Sequence, residues 1–205
     1  MSATLSKAEI LFLQRFAKVA GLYKGPLDGK FSAQVGDAEE ALKDEFEKIR
    51  KSFGEFDSRS EKNIQSLLPE AQRKAREFLH AAPSKTLSYR IISGTRTFAE
   101  QDALFAKGRT APGPKVTNAR GGQSNHNFGI AWDVGIFDGK TFFTGKTKAQ
   151  SKAYVDLAAT VMTKVKGLEW GGHFKSIKDT PHYQVATGKS ATQVRKLFQA
   201  GEKFT

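Results

Sequence analysis

The pattern of apolar residues changes along the chain, and this change limits the folds that are open to it. In the first segment Ser6 and Glu9 form a capping box, and apolar residues recur at helical spacing until Gly21. A second helical stretch, DAEEALKDEFEKIRKSF, ends at Phe53. From about residue 58 onward, helical and strand-like segments are mixed, which is typical of an α+β domain. We therefore predict a small all-α part followed by a larger α+β part.

The second part has clear start and stop signals. Pro69 occupies an N1-like position of a helix, and Thr97 with Glu100 forms a second capping box. The segments LSYRIISG, FGIAWDVGIF and HYQVA predict strands, and AQSKAYVDLAATVMTKV predicts a helix. Residues 109–123, rich in glycine, proline, asparagine and arginine, predict a long irregular loop, which in a compact domain is often functional. The polar segment GEFDSRSEKN lies between the second helical stretch and the helix at Pro69.

The composition excludes several classes of protein. The chain has no cysteine, so disulfides, thiolate metal sites and a cysteine nucleophile are impossible. Any transition metal would have to be bound by histidine and carboxylate side chains. The apolar stretch ILFLQRFAKVAG is broken by Gln14, Arg15 and Lys18 and is too short to span a membrane. The start MSATLSKAEI lacks the features of a signal peptide, and we expect synthesis in the cytoplasm.

The formal net charge is +12, and nearly all of the excess lies in residues 83–205. A basic surface speeds encounters with any polyanion, whether nucleic acid, anionic membrane or wall polymer, without selecting among them. A surface kept soluble by lysine explains the charge equally well. Because the basic residues are dispersed and lack a pattern of stacking aromatic residues, we expect no specific nucleic-acid partner. We also expect a monomer.

The stretch SNHNFGIAWD holds His126 and Asp133 seven positions apart. Side chains alternate between the two faces of a regular strand, so this odd spacing places them on opposite faces. In a helix they would share a face, but roughly 10 Å apart, which is too far for one ion with bonds of about 2 Å. They can bind one ion only if His126 lies in a loop, Asp133 lies on a strand, and the chain bends or bulges near Gly129.

Further candidates lie downstream in EWGGHFKSIKDTPHYQV, which offers Glu169, His173, Asp179 and His182. If His182 binds the ion, Asp179 lies three residues back in a turn and can reach the open coordination position. Three protein ligands, a water and a nearby carboxylate base are the arrangement of catalytic zinc sites. The residue pattern alone leaves structural roles open for these side chains, such as a hydrogen-bonded loop histidine or an aspartate that forms a cap or turn.

These segments resemble a known family. SNHNFGIAWDV is similar to the Ser-x-His-x-x-Gly-x-Ala-x-Asp motif, and DTPHYQ to the Asp-x-x-His motif, of zinc peptidases that include VanY-type D-Ala-D-Ala carboxypeptidases and phage L-alanyl-D-glutamate endolysins. SGTRTFAEQDALF and WGGHFKS resemble further family segments. The resemblance covers about residues 57–185. It implies an α+β fold in which helices flank a small antiparallel sheet.

Residue by residue, the resemblance implies that Zn²⁺ is bound by a set of three side chains: His126, Asp133 and His182. It implies that Asp179 is the general acid and base and that Arg96 stabilises the oxyanion. It gives Ser124 and Gln101 supporting or substrate-contacting roles, although a turn former and a solvent-facing side chain are equally open. His173 departs from the phage pattern, and we expect a substrate contact or a surface group there.

The N-terminal segment GLYKGPLDGKF resembles the turn of small peptidoglycan-binding domains, although the Gly-x-x-Thr that usually follows is missing. We therefore predict a peptidoglycan-binding-like module in residues 1–53 and a zinc peptidase domain in residues 54–205. The resemblance implies a phage endolysin that cuts the L-Ala–D-Glu bond of peptidoglycan. It would be made in the host cytoplasm and act on the wall after release, and its positive charge would favour contact with an anionic membrane or outer-membrane surface. A D-Ala-D-Ala carboxypeptidase and a non-catalytic, zinc-containing wall-binding protein are the alternatives.

Overall fold

Two long helices form the N-terminal part of the computed structural model, which describes residues 5–83, 86–175 and 178–205. Helix α1 (Lys7–Val19) begins at Ser6, and the predicted capping box of Ser6 with Glu9 is present. Helix α2 (Ala33–Phe53) follows the Gly-Pro and Asp-Gly turns and ends at Gly54, which has a positive φ. The predicted helical character of this part is confirmed.

The polar segment GEFDSRSEKN, for which we predicted no helix, contains the first residues of a helix. Helix α3 (Ser58–Gln65) is capped by the side chain of Asp57, which accepts a hydrogen bond from the Ser60 amide. Glu61 of this helix is buried, and its charge is compensated by an ion pair in which Oε2 of Glu61 lies 2.6 Å from Nη2 of Arg76. Tertiary polar contacts therefore stabilise this helix, and apolar periodicity could not reveal them.

Three of the remaining helices follow the predicted signals, and a fourth was not predicted. Helix α4 (Pro69–Ala81) has proline at its N-terminus as expected. Helix α5 (Phe98–Ala106) begins at the capping box of Thr97 and Glu100. Helix α6 (Lys148–Lys164) matches the predicted helical stretch, whereas α7 (Ala191–Ala200), which begins at a capping box of Ser190 with Gln193, was not predicted. Residues 109–123 contain no helix and no strand of the sheet, so the predicted irregular loop is confirmed.

A small antiparallel sheet forms the centre of the C-terminal part. Its strands are β1 (Ser88–Ser93), β2 (Ala131–Asp138), β3 (Thr141–Phe142), β4 (Leu168–Trp170) and β5 (His182–Val185). The order is β1-β2-β5-β4, with β3 paired to β2, and every pairing is antiparallel. The predicted α+β class, with helices around a small antiparallel sheet, is confirmed.

The main apolar core lies between the sheet and the helices that cover it. Trp132 and Tyr183, from neighbouring strands, are fully buried and pack against Phe78 of α4. Phe16 of α1 and Phe46 of α2 belong to the same cluster, so the N-terminal helices share this core. The boundary between residues 53 and 54 stays a prediction. No helix in the described ranges has the length and apolar character that a membrane crossing requires.

Candidate metal centre

The stretch SNHNFGIAWD bends where the spacing argument requires it. Residues Asn125–Phe128 form a 3₁₀ turn, and Gly129 follows with a φ of 72°, in the left-handed region that favours glycine. Strand β2 then begins at Ala131. The backbone amide of Leu68 donates a 2.8 Å hydrogen bond to the Gly129 carbonyl and anchors this bend. The predicted geometry, a histidine outside the strand and an aspartate on it, is confirmed.

The three predicted ligands converge on one point. Nε2 of His126 lies 3.3 Å from Oδ1 of Asp133 and 3.1 Å from Nδ1 of His182. The third edge, from Nδ1 of His182 to Oδ1 of Asp133, is 3.5 Å. Sheet register contributes directly, because Asp133 and His182 are paired residues of neighbouring strands.

The spacing of these three atoms suits a tetrahedral metal ion. Zinc binds histidine nitrogen and carboxylate oxygen at about 2.0–2.2 Å, so adjacent ligand atoms in a tetrahedron lie roughly 3.3–3.5 Å apart. The three observed separations, 3.1, 3.3 and 3.5 Å, fall close to that edge length. Two imidazoles and one carboxylate are also the hard-to-borderline donor set that zinc accepts in catalytic sites. The residues therefore fit the ion that the sequence predicted.

The far ring nitrogen of each histidine has its own hydrogen-bond partner. Nδ1 of His126 lies 2.8 Å from the carbonyl oxygen of Gly94, which can only accept. Nε2 of His182 lies 2.9 Å from Oε1 of Gln184. If both far nitrogens donate, the nitrogens that face the cluster carry lone pairs. Such outer partners are the usual means by which proteins orient metal-binding histidines.

Charge and burial shift the pKa values of the three side chains. Burial lowers the pKa of His126, which favours the neutral imidazole that a metal requires. Burial alone would raise the pKa of Asp133, but the two histidines outweigh it and hold that pKa well below its ordinary value. Burial would lower the pKa of His182, but hydrogen bonding and attraction to Asp133 raise it. Asp133 is therefore anionic at neutral pH.

Arg96 stands beside the cluster in a fixed position. Its Nη2 lies 3.6 Å from Oδ2 of Asp133, and its Nη1 donates a 3.1 Å hydrogen bond to Oε1 of Gln101. The backbone amide of Arg96 donates to the His126 carbonyl at 3.0 Å, and Asn127 donates to the Arg96 carbonyl at 2.9 Å. The backbone of Arg96 is thus tied to the turn that carries His126, and Gln101 and Asp133 hold its guanidinium, so a fixed cation lies at the edge of the site.

Asp179 lies beside the site, in the turn before β5. Its amide donates to the Gly171 carbonyl at 3.0 Å, and its carbonyl accepts from the His182 amide at 3.2 Å. The carboxylate is exposed, yet partial desolvation raises its pKa, and the negative charge of Asp133 adds to this. A side chain at Gly171 would collide with the Asp179 backbone, so the glycine permits this close approach. A carboxyl with a raised pKa is a suitable proton acceptor.

The other three predicted residues have different surroundings. Gln101 is fully buried and donates to Oγ1 of Thr117 and the carbonyl of Ala119, at 3.3 and 2.9 Å. It therefore supports Arg96 and the irregular loop rather than facing solvent. Ser124 is half-buried, directly before the 3₁₀ turn. His173 is exposed and packs edge-on against Trp170, with ring centroids 5.0 Å apart.

Sequence reasoning gave no role to several polar residues of the site. Gln184, Asn125 and Asn127 hold the ligand-bearing segments, and Glu169 was noted only as a possible ligand. Gln184 follows His182 by two positions on β5, so strand alternation could have placed both side chains on one face. Its hydrogen-bond partners depend on sheet pairing and had no local signal. Ser176, at the end of WGGHFKS, lies outside the described residues.

Two histidines and a carboxylate around one point, beside an arginine and a second carboxylate, define the site of a metallopeptidase. A family model described as D-alanyl-D-alanine carboxypeptidase, of the peptidase M15 group, matches residues 117–185. The chain is 37% identical over 122 residues to the Bacillus subtilis peptidoglycan L-alanyl-D-glutamate endopeptidase CwlK, an alignment that spans 58% of this chain and 73% of the relative. The chain belongs to the VanY-like peptidase M15 family, which confirms the resemblance.

The crystal structure of the Serratia marcescens L-Ala D-Glu endopeptidase ChiX is also similar. It matches with a TM-score of 0.47 and 24% identity, over 63% of this chain and 88% of the other. The assignment to the family depends on the sequence matches and not on this likeness.

Proposed function

We propose that the protein is a zinc-dependent peptidoglycan endopeptidase that cuts the L-Ala–D-Glu bond of the stem peptide. The convergence of His126, Asp133 and His182 on one point carries the zinc assignment. The choice of bond is supported by the 37% identity to a relative whose name specifies an L-alanyl-D-glutamate endopeptidase.

Asp179 and Arg96 have separate roles in this reaction. When bound, zinc would polarise the carbonyl of the bond to be cut and make the attacking water more acidic. Asp179 would take the proton from that water and later donate it to the leaving amine, which its raised pKa favours. Arg96 would stabilise the negative charge that develops on the carbonyl oxygen. Because Gln101 and Asn127 already hold its position, little reorganisation is needed during the reaction.

We further propose that the protein is a phage endolysin. The resemblance of WGGHFKS to phage members supports this, as does the peptidoglycan-binding-like segment GLYKGPLDGKF. In this role it would be made in the host cytoplasm and reach the wall after release. The excess positive charge of residues 83–205 would favour contact with the anionic wall and, in a Gram-negative host, with the outer-membrane surface.

A D-Ala-D-Ala carboxypeptidase is the second candidate, because the matching family model carries that description. The two activities use the same metal and the same proton transfers, so the site geometry does not separate them. The products do. The endopeptidase exposes the amine of D-Glu, whereas the carboxypeptidase releases a terminal D-Ala.

Mass spectrometry of purified peptidoglycan after digestion tests the proposal. We expect fragments that begin with D-Glu, their loss on treatment with a chelator, and recovery when zinc is added. Asp179→Asn should bind zinc as the wild type does and produce no fragments. Release of D-Ala alone would favour the carboxypeptidase. Equal digestion by wild type and Asp179→Asn would contradict the assigned mechanism, and no digestion by either would favour a non-catalytic wall-binding protein.

A further inference from the structure

A chain of hydrogen bonds begins at Nε2 of His182, the ring nitrogen that faces away from the other two predicted metal ligands. Oε1 of Gln184 lies 2.9 Å from Nε2 of His182, and Nε2 of Gln184 donates to Oε2 of Glu169 at 2.6 Å. Glu169 and Gln184 are paired residues of neighbouring strands β4 and β5, so sheet register holds this contact. Gln184 is only 6% exposed, so water competes little for its amide.

Glu169 determines which way the Gln184 amide points. A carboxylate only accepts hydrogen bonds, so the amide nitrogen of Gln184 must face Glu169. The reverse orientation would place two acceptor oxygens 2.6 Å apart. The amide oxygen is therefore turned toward His182, where it also accepts a 2.9 Å hydrogen bond from Nδ2 of Asn125.

This orientation in turn determines the tautomer of His182. Because Oε1 of Gln184 can only accept, Nε2 of His182 must donate the hydrogen to it. Nδ1 then carries the lone pair, and Nδ1 is the atom that faces His126 and Asp133. The same Gln184 oxygen holds Asn125, which precedes the ligand His126 in the 3₁₀ turn. One amide group thus connects the segments that carry both histidine ligands.

We propose that Glu169 and Gln184 are positioning residues that present Nδ1 of His182 to the metal. The proposal depends on the zinc site of the proposed function and adds two residues to which neither the motifs nor the family matches assign a role. Neither residue is itself a metal ligand, and Gln184 contacts His182 at the ring nitrogen that faces away from the metal position. Both act through His182, and for Gln184 also through Asn125.

Zinc affinity of the full chain, measured by competition with a chromophoric chelator, tests this proposal. Gln184→Met keeps the length of the side chain but removes the acceptor, and we expect zinc affinity to fall about 10- to 100-fold. Gln14→Met is the matched control. Gln14 is also a buried glutamine, 1% exposed, and it bonds Asp28 and Gly29 in the N-terminal part. We expect this control to lower stability and to leave zinc affinity within about threefold of wild type.

A second pair of variants tests Glu169 alone. Glu169→Ala frees the Gln184 amide to rotate, and we expect a loss in zinc affinity of about tenfold. Glu169→Gln retains an oxygen that can accept from Gln184, so it should restore affinity to within about threefold of wild type. Two-bond ¹H–¹⁵N spectra of the metal-free protein provide a direct readout. Recorded at alkaline pH, where the ring is neutral, they should show His182 protonated only at Nε2 in the wild type and as a mixture of tautomers in Gln184→Met.

The outcomes separate this inference from the zinc assignment. A wild-type protein that binds no zinc would contradict the proposed function. If zinc binds but Gln184→Met has the affinity of Gln14→Met, the positioning role is wrong. Should Gln184→Met fail to fold, equal zinc affinity of Glu169→Ala and Glu169→Gln would overturn the proposal, and a tenfold difference between them would support it.

Discussion

Gly129 provides a direct test of how the fold brings the three metal-binding side chains together. It lies between the turn that carries His126 and the strand that carries Asp133, with a φ of 72°. An added Cβ would lie 2.5 Å from the ring of Phe16 and 3.1 Å from Cγ of Leu68, both in the main core. Gly129→Ala therefore introduces backbone strain and a steric clash at the same position.

The two costs can be separated with a matched control. Gly139 also has a positive φ, 56°, but a Cβ there would meet no atom within 4 Å. Gly139→Ala should therefore lower the free energy of unfolding by the backbone term alone, roughly 1–2 kcal/mol. At Gly129 the clash adds about 1–3 kcal/mol, which gives a total of about 2–5 kcal/mol.

Urea denaturation of the metal-free variants measures these values, and chelator competition measures zinc affinity. We expect Gly129→Ala to be the less stable variant and to bind zinc more weakly, because relief of the clash displaces His126 relative to Asp133. Gly139→Ala should bind zinc as the wild type does. Equal stability of the two variants, or unchanged zinc affinity of Gly129→Ala, would refute the argument that this bend aligns the ligands.

Three further predictions concern single residues. Arg96→Met should lower kcat on a stem-peptide substrate by about 10²–10³-fold with little change in KM, because the role proposed for the guanidinium is to stabilise the transition state; a change confined to KM would contradict this role. Asp179→Asn should raise the free energy of unfolding at pH 7. The carboxyl pKa is raised in the folded state, so stability falls as pH increases from the unfolded-state pKa through the folded one, and the gain should vanish at pH 3 in urea titrations. Glu61→Ala leaves Arg76 buried without its partner and should cost about 3–5 kcal/mol by the same measurement, whereas Glu39→Ala, in an exposed pair, should cost less than about 1 kcal/mol.

Local signals were sufficient to predict much of the fold. The capping boxes at Ser6 and Thr97 and the proline at position 69 mark the starts of helices because they satisfy or avoid unpaired backbone amides. The bend at Gly129 followed from strand alternation and the length of a metal bond. These features depend on residues close together in sequence.

The features that were missed depend on distant partners. Helix α3 is polar, and it is held by Asp57 and by the buried pair of Glu61 with Arg76, fifteen positions away. The link from Glu169 through Gln184 exists because β4 and β5 are paired in one register. No periodicity in the sequence encodes such contacts, so only the structure could reveal them.

X-ray absorption at the zinc edge, on purified protein loaded with zinc, tests the central claim most directly. We predict one ion per chain, bound by two imidazole nitrogens and by oxygen at about 2.0–2.2 Å. His182→Ala should lose this site, and His173→Ala, which alters an exposed histidine, should give the wild-type spectrum. A spectrum unchanged in His182→Ala, or a site lost in His173→Ala, would contradict the assigned metal centre.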